Sequence, residues 1–162
     1  MTAARRHAYQ HPDSRLTLRE GLREYFDSNP NLLDPDDPDQ ASSPEAVELF
    51  KRHDVVHIVF GTNTDVGQEA MTDTWAMAAT DVGWRNYLAY LRQPEAMGII
   101  TSIGWARAIW ESLLAVPAVI GVLRRARRMR KPWPWQDHDR YLDVPLCDIR
   151  REFNIDVFQP GA

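Results

Sequence analysis

PEAVELFKRHDVVHIVFGTNTDVGQEAMTDTWAMAAT, Pro44 to Thr80, decides the fold class. Ser43-Pro44 is a cap followed by a first-turn proline, the run after it meets no breaker before Phe60, and Gly61 is a helix stop. TNTD, 62–65, then caps a second run that continues to Thr80. The stretch is therefore a helix, a tight turn and a helix.

The chain on either side reads the same way. Upstream, Thr17 and Glu20 form a capping box at the head of TLREGLREYFDSNP, which sets Leu18, Leu22, Tyr25 and Phe26 on one face before Asn29-Pro30 ends it. Residues 29–44, rich in proline, aspartate and serine, form an acidic loop, and the polar residues 1–15 are expected to be a mobile terminus. Downstream, DVGWRNYLAYLRQP is a further helix, and residues 95–131 form a long apolar helix that Pro117 should kink or break. PWPWQDHD is a loop, and a last helix starts at Pro145 with Leu146, Ile149 and Phe153 inward while Asp148, Arg150, Arg151 and Glu152 keep the other side polar. No strand-like alternation of useful length is present. The expected fold is an all-α, single-domain bundle of about six or seven helices spanning 1–162, a length that suits one core.

Composition narrows the function. A net charge of −4 argues against a general nucleic-acid binder, which needs a basic surface. With Cys147 the sole cysteine, neither an intrachain disulfide nor a cysteine zinc cluster can form, which suits a reducing compartment; Cys147 itself reads as a small buried core residue. The N-terminus is too polar for a signal peptide, and the longest apolar run, Leu113 to Leu123, is too short to span a bilayer. A cytoplasmic protein is expected, resting on the inner face of the cell membrane if on any. The basic run RRARRMRK, 124–131, follows directly on the apolar stretch, as in a surface that meets anionic head groups; it reads equally as a solvated helix end.

The chemistry concentrates in His53 to Glu69. His53 and His57, four residues apart, share a helical face; Asp54, a step of about 100° round the helix, sits at its edge. Glu69 opens the next helix, whose first turn folds back towards the end of the one before. Two imidazoles with one or two carboxylates suit zinc, and also iron or manganese. Asp54 has a second reading, as the partner that orients one histidine. Spacing alone equally admits two polar edges of an ordinary hairpin. The pattern differs from the zincin motif, since Asp54 stands where the general base belongs. It differs from HD-type phosphohydrolases, which use a separate upstream histidine and a distant aspartate. Asp73, one turn after Glu69, reads as a proton-handling carboxylate or a surface aspartate; His138 reads as an exposed loop residue or as one that approaches the site from its loop.

His53-Asp54-x-x-His57, eleven residues, then Glu69 resembles the signature of the coenzyme Q biosynthesis protein 4 family, which commonly has glycine at the position of Gly61. VPLCDIRREFNI is similar to that family's closing helix, and the resemblance covers about 44–157. The chain departs from the pattern at Gly67-Gln68, because the family usually places glycine directly before the glutamate, and on its N-terminal side it is shorter than typical members. The resemblance implies an all-helical fold with a cavity for a polyprenyl lipid. It implies a divalent metal, zinc first and iron, manganese or magnesium otherwise, held by His53, Asp54, His57 and Glu69. It also implies removal of the C1 carboxylate of a polyprenylated hydroxybenzoate, with or without hydroxylation at that carbon, as in ubiquinone synthesis. The alternative is a non-catalytic scaffold that binds prenyl lipid or quinone within a quinone-synthesis complex. Expected partners are a prenylated aromatic lipid, other quinone-biosynthesis proteins, an anionic membrane through 124–131 and a second copy of the chain. The apolar stretch 96–123 suits a prenyl tail or simply a buried helix.

Overall fold

Helix α1 (Leu18–Ser28) begins at its capping box: Thr17 Oγ1 accepts the Glu20 N–H, and Glu20 Oε2 accepts the Thr17 N–H at 2.8 Å. In the computed structural model of the protein, residues 7–30, 32, 44–91 and 105–157 are described, with side chains throughout except at 44–46, 66, 88–91 and 105–115. The other helices are α2 (Pro44–Phe60), α3 (Val66–Ala79), α4 (Trp84–Leu91), α5 (Trp105–Ala126) and α6 (Leu146–Phe153). Two 3-10 turns, Ala8–Gln10 and His138–Tyr141, join them, and among the described residues there is no strand, only isolated bridges. The fold is all-α, as the sequence predicts.

Two close approaches hold the centre. At Gly21 a Cβ would stand 2.7 Å from Ile58 Cγ2, so glycine lets α1 lie directly on α2. At the end of α2, Gly61 takes φ +73°, and the Thr62 N–H donates to the His57 carbonyl at 2.9 Å, the six-to-one bond of a Schellman ending. This turn folds α3 back along α2. The Asp65 carbonyl receives the N–H groups of Gln68 and Glu69 at 2.7 and 2.8 Å, and Gln68 Oε1 accepts the Asn63 N–H at 2.9 Å. Gln68 is thus a brace across the turn.

The last turns of α2 are buried all round: Val55, Val56, Ile58, Val59 and Phe60 are each at most 1% exposed, and Phe60 stacks on Trp75 of α3 with centroids 4.5 Å apart. α5 packs mainly along α3. The loop after it pairs back, Trp133 N–H to Ala79 O at 2.7 Å and Asp81 N–H to Trp133 O at 3.1 Å. α6 enters beside the start of α1, with Leu146 N–H on Leu16 O at 2.8 Å. Leu146, Ile149 and Phe153 are buried as expected. None of the described helices is long and apolar enough to cross a membrane.

Several expectations change. Residues 7–15 are packed, not a loose terminus: Tyr9 is fully buried, and the Ala8 and Tyr9 N–H groups donate to the Glu24 carboxylate at 2.8 and 2.9 Å. Pro117 does not break α5, which runs through it, and that helix ends at Ala126 instead of extending to 131. Arg150 belongs to the buried side of α6. Cys147 is half-buried at the start of α6, not a core residue.

Candidate metal centre

The Schellman turn sets the end of α2 opposite the start of α3, and the ring nitrogens of His53 and His57 meet the carboxylate of Glu69 there. One ligand atom from each lies within 4.8 Å of the others. His57 Nε2 is 3.5 Å and His53 Nε2 4.0 Å from the same oxygen, Glu69 Oε2. Two ligands of one tetrahedral zinc stand about 3.4 Å apart, so small side-chain shifts would close this set on an ion. His57 is wholly buried and His53 nearly so, whereas the Glu69 side chain is 37% exposed. The cluster is therefore a buried floor with one open edge.

His57 Nε2 is buried and makes no hydrogen bond, which is costly for a polar atom unless something else occupies that direction. The donor set, two imidazoles and a carboxylate, suits zinc and related divalent ions, and the orphaned nitrogen faces the carboxylate that would share the ion. The residues fit a metal.

Asp54 stands apart from these three. Its Oδ1 accepts the Tyr25 hydroxyl at 3.2 Å, and Tyr25 stacks on His57 with centroids 5.3 Å apart. Burial lifts the Asp54 carboxyl to about 6, against the pull of His53 and His57. Burial also raises the Tyr25 phenol, helped by Asp54 and Glu69. Of the four residues assigned as ligands, the structure brings together His53, His57 and Glu69, while Asp54 touches the cluster through Tyr25.

Asp73 comes closer than its spacing suggests. Its Oδ1 is 3.5 Å from His53 Nε2 and accepts the Tyr87 hydroxyl at 2.5 Å. For His53 burial is the largest influence and lowers the imidazole, but the Asp73 bond with the charges of Glu69, Asp73 and Asp54 outweighs it, and the net direction is up. Imidazoles ringed by carboxylates attract a cation. His138 is buried, not exposed, in its 3-10 turn.

Thr62, Thr72, Tyr25 and Tyr87 complete the surroundings, and no motif in the sequence marks them as site residues. Thr72 carries only a spacing signal, three residues after Glu69 on one helical face. Thr62 depends on the turn geometry, and both tyrosines on how helices cross. The apolar residues 96–104 proposed to hold a prenyl tail lie outside the described residues. In α5, Val116, Ile120 and Leu123 are 36–46% exposed, and Arg124, Arg127 and Arg128 beyond them are exposed too.

Fold and site together define an all-α chain with a His-His-Glu cluster, its histidines buried, suited to a divalent ion. No family model, curated protein or solved structure matches it.

Proposed function

We propose that the chain is a metal-dependent carboxy-lyase of the ubiquinone-biosynthesis type, with His53, His57 and Glu69 as metal ligands and a prenylated hydroxybenzoate as substrate. The observation that carries this reading is the buried, unbonded His57 Nε2 facing Glu69 Oε2 at 3.5 Å. The metal, zinc first, would act as a Lewis acid on the phenolate or carboxylate of the ring.

The residues then have separate tasks. His53, His57 and Glu69 bind, and the partly exposed Glu69 and Asp73 mark the side from which substrate enters. The bond from the ring to its carboxylate breaks, carbon dioxide leaves, and the electron pair stays on the ring carbon. A proton from the Tyr87–Asp73 pair replaces the lost group, and solvent at the open edge restores it. The exposed Val116, Ile120 and Leu123, followed by the arginines 124, 127 and 128, support docking on an anionic membrane, where a prenyl lipid resides.

The test combines elemental analysis of the purified protein with carbon dioxide release from a prenylated hydroxybenzoate. One equivalent of metal and turnover are expected, with His57→Ala and Glu69→Ala losing both. Unchanged turnover in those variants overturns the reading. Bound prenyl lipid without chemistry would point instead to the scaffold function.

A further inference from the structure

We infer that the hydroxyls of Thr62 and Thr72 form a proton-ordering pair that holds His57 as the Nδ1–H tautomer and so presents the Nε2 lone pair to the metal position. The part concerning metal rests on the function proposed above; the tautomer does not.

The argument counts protons. His57 Nδ1 lies 3.2 Å from Thr62 Oγ1 and 3.2 Å from Thr72 Oγ1, and the two hydroxyl oxygens are 2.6 Å apart. Thr72 Oγ1 also donates to the Gln68 carbonyl one turn back, at 2.9 Å. Each hydroxyl has one proton. That of Thr72 is committed to Gln68, so the short contact between the hydroxyls takes the proton of Thr62. Both donors are then used, and each oxygen has a lone pair left. His57 Nδ1 must supply the proton to them, and Nε2 is left as an acceptor.

An acceptor nitrogen 3.5 Å from a carboxylate oxygen is repulsive unless a cation, a proton or a bridging water lies between them, and two imidazoles beside the carboxylate suit a cation. A metal-ligating histidine commonly donates its other N–H to a fixed acceptor, which sets the ring's orientation and tautomer. The fold supplies this pair from the turn and from α3. The Gly61 turn, closed by the Thr62 N–H on the His57 carbonyl, returns Thr62 to the ring from α2, and Thr72 rises from α3 on the face of Glu69. The two threonines are positioning residues: they act on the ion through His57.

The opposite order would send the Thr72 proton to Thr62 and the Thr62 proton to Nδ1, leaving Nε2–H to donate to Glu69. Nitrogen-15 NMR of the metal-free full chain, at a pH where the imidazole is neutral, separates the two. A protonated Nδ1 with a bare Nε2 on His57 is expected; an Nε2–H ring overturns the inference. Chelator competition gives the second readout. Thr72→Val should weaken zinc binding by about 10- to 100-fold and Thr72→Ser should restore it. Wild-type affinity in a folded Thr72→Val also overturns the inference. If Thr72→Val does not fold, Thr62→Val removes the other hydroxyl and is expected to show the same loss. A wild type that takes up no zinc but has the Nδ1–H ring would sink the metal function and leave the tautomer assignment standing.

Discussion

Arg150 is the residue whose role differs most from its sequence appearance. Its guanidinium donates to the carbonyls of Val59 at 3.0 Å, Ile58 at 2.8 Å, Tyr9 at 2.7 Å and to that of His11. Ile58 and Val59 lie in the last turn of α2, whose carbonyls carry the helix's partial negative charge, so a cation is well placed there. One planar fork ties α6, the end of α2 and the N-terminal segment together. Burial draws the guanidinium down to about 10, still charged at neutral pH. Arg150→Met should leave buried carbonyls unpaired and cost about 3–5 kcal/mol in urea unfolding. Arg150→Lys should recover little of this, because an ammonium cannot reach the same spread of acceptors. Helical periodicity named Leu146, Ile149 and Phe153 correctly but put Arg150 on the polar side, since periodicity does not reveal four carbonyls converging from elsewhere.

The hairpin of α2 and α3 is where local sequence most directly builds the site. Gly61 is needed for its φ of +73°, and a Cβ there would also stand 2.7 Å from Val157 Cγ1. Gly61→Ala should destabilise by about 1–3 kcal/mol and also weaken metal binding, because moving the turn moves Thr62 off His57. Thermal unfolding together with zinc titration checks both effects. Gly67 is a contrast: a Cβ there meets nothing within 4 Å, and Gly67→Ala, in the first turn of α3, should be neutral to stabilising by up to about 1 kcal/mol.

For the whole molecule, two linked equilibria report the fold. Zinc that binds only the folded chain should raise its stability by about 2.7 kcal/mol at a hundredfold excess over Kd, and calorimetry should show this shift vanish in His57→Ala. His138 couples folding to acid. Burial lowers its imidazole most; Lys51 adds to this, while the Trp135 carbonyl, Asp139 and Glu48 oppose it. The unfolded chain therefore takes up its proton first on acidification, near its ordinary value of about 6.5. The contribution to stability is complete above that pH and falls below it, until folded His138 protonates as well. His138→Gln should flatten the slope of unfolding free energy against pH just below about 6.5 relative to the parent. An unchanged slope would show that other groups govern it.

By itself, the sequence determined where α1, α2, α3 and α6 start and where α2 stops, because a capping box, a proline after a cap and a glycine in the left-handed region act over four or five residues. It also put His53 and His57 on one face and Glu69 across a short turn. Only the tertiary structure decided that Tyr25 claims Asp54, that Asp73 and Tyr87 reach His53, that two threonines meet on His57, and that Tyr9 and Arg150 are locked inside. Those contacts join residues far apart in the chain, and their existence depends on where α1, α2, α3 and α6 cross. At Gly21, where α1 lies on Ile58 of α2 and beside Leu146 of α6, that crossing depends on a close approach that no local pattern encodes.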